Sequence, residues 1–99
     1  MEYGWIVTKD HIAELLPSGE WRVDNVEVVG PSDIQDTVLA RLRRGEGEEF
    51  KMYDDDGELY YSGRGIDCQG EEPLYDYGGP NAGCTLIRWK GHPDKNAEY

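Results

Sequence analysis

The sequence predicts an α+β fold: a mostly antiparallel sheet of four to five strands with one main helix packed on one face. Three observations carry that expectation. Short runs of alternating apolar and polar residues recur at 3–8, 49–53, 59–62 and 85–89, the period-two signature of half-buried strands. Residues 33–44 instead repeat their apolar side chains at helical spacing. The chain has 99 residues, which allows a single domain spanning 1–99. Area scaling gives such a chain about 16,000 Å² unfolded and about 5,700 Å² folded, enough burial for one modest core.

The elements follow in order. Tyr3, Trp5 and Val7 share one face of the first strand and Ile6 lies on the other, so a central strand is expected. A short helical turn follows, capped by Asp10, with Ile12, Leu15 and Leu16 on one side and Pro17-Ser18-Gly19 ending it. Residues 20–29 are β-prone, but Trp21 and Val23 fall on one parity and Val26 and Val28 on the other. Asp24-Asn25 sits at that break, which suits a tight turn or a bulge. A turn or irregular loop leading into a short strand at 26–29 is the expectation.

The helix at 33–44 has the strongest signals. Ser32 and Gln35 form a capping-box pattern, and Asp33 and Asp36 precede Arg41, Arg43 and Arg44 in the order that suits the helix dipole. Ile34, Val38, Leu39 and Leu42 make the apolar stripe, and Gly45 supplies a left-handed cap. A hairpin comes next, with Phe50 and Met52 on one face, a turn centred on Asp55-Asp56-Gly57, and Leu59 to Ser62 returning. Residues 67–83 read as a long loop with Gly and Pro throughout, and such loops are often functional. Residues 85–89 form the last strand, and the polar tail at 91–99 is expected to fray.

Composition bounds the function. Twenty-one acids against ten bases give a net charge of −11. Direct binding of nucleic acid relies on an excess of Lys and Arg to neutralise phosphates, and an anionic membrane surface makes the same demand, so both are disfavoured. No apolar run approaches a membrane span and no basic-then-apolar leader opens the sequence, so a cytoplasmic protein is expected. Cys68 and Cys84 do not make a disulfide framework, and reduced thiols are the expectation.

The charge is uneven. Between residues 46 and 76 there are eleven acids and two bases, a sum of −9, while the other 68 residues sum to −2. The candidate partner-binding residues come from this stretch: Glu48, Glu49, Asp54, Asp55, Asp56, Glu58, Tyr60, Tyr61, Glu71, Glu72, Tyr75 and Asp76. Same-face side chains on a strand repeat at about 6.7 Å and neighbouring strands stand nearly 5 Å apart, so a carboxylate ladder can match part of a phosphate backbone. Tyrosine adds rigid contact area and accepts Arg over its ring. Two plainer readings stand beside this one: an acidic face that only keeps the protein in solution, and acid excess from salt adaptation.

Other chemistry has weaker signals. Placing Gly57 sixth in a calcium loop puts Met52 first and Gly63 twelfth, so the pattern fails at both ends. Cys68, Cys84, His11 and His92 match no common zinc spacing. The chain lacks G-x-S-x-G, H-E-x-x-H and a phosphate-binding glycine loop. No metal, no cofactor and no catalytic residue is expected.

Three stretches together, YGWIVTKDH (3–11), MYDDDGELYYSGR (52–64) and PLYDYGGPNAGCTLIRW (73–89), resemble a family of small proteins of unassigned activity found in bacterial genomes and on phage or plasmid DNA. That resemblance implies a protein that travels on mobile DNA and carries over no catalytic residue. In size and acidity the chain is also similar in type to phage-encoded inhibitors of CRISPR effectors and restriction enzymes. The function expected is therefore a non-catalytic acidic protein that occupies the basic surface of a nucleic-acid-handling defence protein. The alternative is a small host accessory domain that binds another protein while its acidity serves only solubility.

Overall fold

The computed structural model describes residues 2–99. Six strands form one antiparallel sheet: β1 (Gly4–Leu15), β2 (Trp21–Gly30), β3 (Glu48–Tyr53), β4 (Leu59–Ile66), β5 (Leu86–Trp89) and β6 (Ala97–Glu98). Their order across the sheet is β2-β1-β4-β3-β5-β6. The sheet thus has six strands where four or five were expected. Helical structure is divided between α1 (Asp36–Arg43) and a second segment at residues 72–82, made of a π-helical part (Leu74–Gly78) and α2 (Gly79–Ala82). A single main helix over one face is not what forms.

Strand parity assigns the two faces. Trp5, Val7, Phe50, Met52, Tyr61, Ile87 and Trp89 point to one side and form the principal core with Cys68, Leu74 and Cys84. Gly63 and Gly65 of β4 stand on that side too, opposite Phe50 and Glu48. A Cβ at Gly63 would collide with the Ile6 carbonyl, and one at Gly65 would lie 2.8 Å from the Trp89 ring, so the missing side chains make room for Phe50 and Trp89. The reverse face carries Ile6 and Ile66, on which α1 sets Val38 and Leu42 in a smaller cluster. The folded accessible surface is 5877 Å².

Five expectations are corrected. The helical turn after Asp10 does not form; β1 runs on to Leu15, and Leu15 pairs with Trp21 in a hairpin whose turn bonds Leu16 N to Glu20 O at 2.7 Å. Six residues are too few to nucleate a helix unaided, and the hairpin satisfies the same backbone groups. Residues 21–30 are one strand, not a loop with a short strand. Val26 and Val28 pack against the principal core, whereas Trp21 and Val23, of the other parity, are exposed at the far end of the hairpin, and this accounts for the broken alternation.

Helix α1 starts at Asp36 rather than Asp33, with Gln35 extended and making no side-chain cap. Residues 31–34 instead turn, Ile34 N bonding Pro31 O at 2.9 Å, which seats Ile34 against the Ile6 cluster. Gly45 does adopt the left-handed conformation, at φ 93°. The stretch 67–83 is not a free loop: Pro73 and Leu74 are fully buried, and Gly78 lets the segment lie on Met52, since a Cβ there would meet Met52 Sδ at 2.6 Å. The tail is paired rather than frayed. Asn96 Oδ1 accepts from Trp89 N at 2.8 Å, β6 pairs with Leu86 and Ile87, and Tyr99 N donates to Thr85 O.

Candidate functional site

The twelve predicted contact residues fall into three places. The first is the β3–β4 turn. Asp54 N donates to Glu58 O at 3.0 Å, and Asp54 Oδ1 accepts from the backbone N–H of Asp56 and of Glu58 at 3.0 and 2.8 Å. Gly57, at φ 80°, takes the left-handed position that a side chain would resist. Asp54 therefore braces the turn, while Asp55, Asp56 and Glu58 are exposed at its tip. Tyr60 is half-buried behind them; burial and then the neighbouring Asp54 hold its hydroxyl protonated above the usual tyrosine range.

The second place is the start of β3. Glu48 accepts from Lys95 Nζ at 2.7 Å and lies 2.7 Å from His92 Nε2, and Glu49 pairs with Lys90 at 3.2 Å. Both carboxylates are already neutralised from within the chain. Tyr61 is 6% exposed and sits 5.1 Å from the Tyr77 ring inside the core, so it packs the interior and offers no outward contact.

The third place is the helical segment. Glu72 receives the backbone N–H groups of Gln69 and Gly70 at 2.7 and 2.9 Å. Asp76 Oδ2 receives Tyr3 Oη at 2.9 Å and Trp5 Nε1 at 3.0 Å. Tyr75 lies against Tyr99, 4.9 Å between ring centres, and donates to Glu98 O. Glu71 is exposed, and with Glu72, Tyr75, Asp76 and Glu98 it lines a shallow acidic groove. The acid that clusters in sequence is thus divided in space, and much of it is committed to structure.

The part of the reverse face that α1 leaves uncovered has the opposite sign. Four residues stand side by side across four strands: Lys9 on β1 faces Ser62 on β4, Ser62 faces Lys51 on β3, and Lys51 faces Arg88 on β5. A bulge creates this row. Val7 faces Gly63 and Lys9 faces Ser62, so Thr8 is an extra residue. In a regular strand Val7 and Lys9 would share a face; the bulge keeps Val7 in the core and turns Lys9 out. Thr8 Oγ1 donates to Ser62 O at 3.3 Å, and His11 Nε2 lies 2.8 Å from Ser62 Oγ. Burial, and then the ammonium groups of Lys9 and Lys51, push His11 below its ordinary pKa, with Asp10 opposing. Arg64 donates to Leu42 O at 2.6 Å and Glu46 O at 3.2 Å, tying the end of α1 to this face, and the Arg88 guanidinium lies 5.4 Å from the Tyr53 ring centre.

These residues line a groove of about 700 Å³. Sequence reasoning missed it, because its members come from four strands and the alternation that would align them breaks at Thr8. The cross-strand pairing of 49–53 with 59–64 was the one available signal, since it places Lys51 and Arg64 on the face opposite Phe50.

Cys68 and Cys84 are free and buried. Burial, and then the nearby Glu72 carboxylate, raise Cys68 well above the thiol range; burial, and then Asp54, push Cys84 up to about 12. Thiols held this firmly protonated are poor nucleophiles. Among the described residues, no helix is long and apolar enough to cross a membrane. The chain matches no protein family model, no curated protein and no solved structure.

Proposed function

We propose that the protein is a non-catalytic binding module that grips a basic protein surface with the tip of the β3–β4 hairpin. One observation carries this reading: Asp55, Asp56 and Glu58 are exposed, make no ion pair among the described residues, and project from a turn that Asp54 holds in place with two backbone hydrogen bonds. Carboxylates fixed in advance lose little freedom on binding, and a patch of one sign steers a partner of the other. The concrete form of the proposal is an inhibitor of a host defence nuclease, seating the tip where a phosphate backbone belongs.

The test uses the full chain and its D55N/D56N/E58Q variant. A nona-arginine peptide should perturb the backbone resonances of residues 54–60 first, and should bind more weakly as salt rises. In cleavage assays with CRISPR effectors and restriction enzymes, the wild type should inhibit and the variant should not. Equal inhibition by both would remove the tip from the mechanism.

A second reading rests on a different feature. Leu15, Trp21 and Val23, at the far end of the β1–β2 hairpin, are 57%, 47% and 51% exposed. An apolar patch of this kind is where an accessory domain would meet a partner. If Trp21→Ala abolishes partner binding and the triple amide variant does not, this second reading holds.

A further inference from the structure

We propose that the uncovered groove on the reverse face binds a small molecule carrying two or more phosphate groups, of nucleotide size, through Lys9, Lys51 and Arg88, with His11 and Ser62 on its floor. The inference is independent of the hairpin tip.

Ion pairing is the first support. Of the ten Lys and Arg residues, six lie within 4.0 Å of a carboxylate: Arg22, Arg41, Arg43, Arg44, Lys90 and Lys95. The other four are Lys9, Lys51, Arg64 and Arg88. Among the described residues, none of these four has such a partner in a chain with twenty-one acids, and all four line the same groove. Among the described residues, Glu49 is the only carboxylate lining it, and it pairs with Lys90. Arg64 is taken up by the Leu42 and Glu46 carbonyls, which leaves Lys9, Lys51 and Arg88 available to a ligand.

Geometry sets the size of that ligand. Lys9, Ser62, Lys51 and Arg88 occupy adjacent strands, so the row spans three inter-strand steps, about 14 Å at their outer members. That is too long for one phosphate and suits a chain of them with an attached group. The groove's volume of about 700 Å³ lies within the range typical of small-molecule sites.

Chemistry sets its class. Two ammonium groups, a guanidinium and a hydroxyl offer more donors than one carboxylate can use, and phosphate oxygens accept such charge-assisted bonds best. The Tyr53 ring lies beneath the Arg88 guanidinium and limits its orientation. A polynucleotide is disfavoured by the net charge of −11, because it must extend past the acidic tip and flanks. A small ligand stays inside the groove, where carboxylates more than about 8 Å away are screened at physiological salt.

The test is titration of the ¹⁵N-labelled full chain with ATP and, separately, with inorganic pyrophosphate. Both should shift Lys9, His11, Lys51, Ser62 and Arg88 while leaving residues 54–58 in place. Tighter binding of ATP would show that the nucleoside is held as well; equal binding would show that the phosphates suffice, and either supports the site. Lys51→Ala and Arg88→Ala should each weaken binding about tenfold, as expected for one charge-assisted contact. Arg22→Ala, on the other hairpin, should not. The bound anion should also raise the pH at which the His11 ring titrates, against the opposing Lys9 and Lys51. Both test positions are exposed, and Lys51→Gln repeats the experiment with the stem retained.

Four results would overturn the proposal. The first is no localised shift at millimolar anion. The second is equal weakening by Arg22→Ala. The third is tighter binding of a single-stranded oligonucleotide than of ATP. The fourth is a dimer that Lys51→Ala dissociates, which would assign the groove to the acidic tip of a second copy.

Discussion

The Trp5 indole donates to Asp76 Oδ2 at 3.0 Å across a separation of 71 residues, and the same oxygen accepts from Tyr3 at 2.9 Å. One carboxylate thereby fastens the first strand to the helical segment that closes the principal core. Asp76→Ala should lower stability by about 1–3 kcal/mol, because it leaves the part-buried indole N–H without an acceptor. Asp76→Asn keeps an acceptor and should cost less. Urea unfolding of the two variants separates these outcomes.

Gly63→Ala tests the close approach of β4 to β1. A Cβ there meets the Ile6 carbonyl and lies 2.8 Å from the Phe50 ring. Backbone cannot yield as a flexible side chain does, so a loss of about 1–3 kcal/mol is expected by chemical denaturation. Gly19→Ala has open space around it and serves as a comparison for the strain of its positive φ alone.

Alkaline pH should weaken the fold. Folding pushes Cys84 up from 9.0 to about 12, chiefly by burial, and Tyr3 from 10.0 to about 12, by burial and then by its bond to Asp76. A group whose pKa is raised by folding contributes fully below its unfolded pKa and loses that contribution as pH climbs to the folded value. Stability should therefore be level below about pH 9 and fall between about 9 and 12. Cys84→Ala should lessen the earlier part of that fall, which the buried Cys68 thiol shares, and Tyr3→Phe the later part.

The hairpin tip separates structure from charge. Asp54→Ala removes the acceptor of two backbone N–H groups and should cost about 1 kcal/mol. The D55N/D56N/E58Q variant changes only exposed groups and should stay within about 0.5 kcal/mol of the wild type. Thermal unfolding of both checks this, and the second result licenses the triple variant as a binding probe.

Local chemistry was legible in the sequence where it decides the structure by itself. The Asp54–Glu58 turn, the alternation of Phe50 and Met52, the left-handed Gly45 and the start of β1 could all be read directly. Long-range pairing could not. Ile12, Leu15 and Leu16 have helical spacing, yet they lie in or beside a strand because residues 21 and 22 are positioned to pair with 14 and 15. Gly78, Gly79 and Pro80 look like helix breakers, but Gly78 is where the segment must lie on Met52, and Pro80 sits in the first turn of α2, where its missing N–H costs nothing. Asp76 and Glu72 looked like outward charge because their partners, Trp5 and the backbone at 69 and 70, are invisible without the fold. The groove was hidden for the same reason: parity counted from Trp5 sends Lys9 inward, and only the residue inserted at Thr8 reverses it.

That insertion separates two kinds of selection on a single strand. Ahead of it, any change at Trp5 or Val7 must fit a packed interior. Behind it, Lys9 is exposed and His11 rests against Ser62 Oγ, so change there is felt in the groove rather than in the core. One more residue between Val7 and Lys9 would send Lys9 and every later side chain of β1 to the opposite face, so the length of this strand, as much as its composition, sets the character of the exterior.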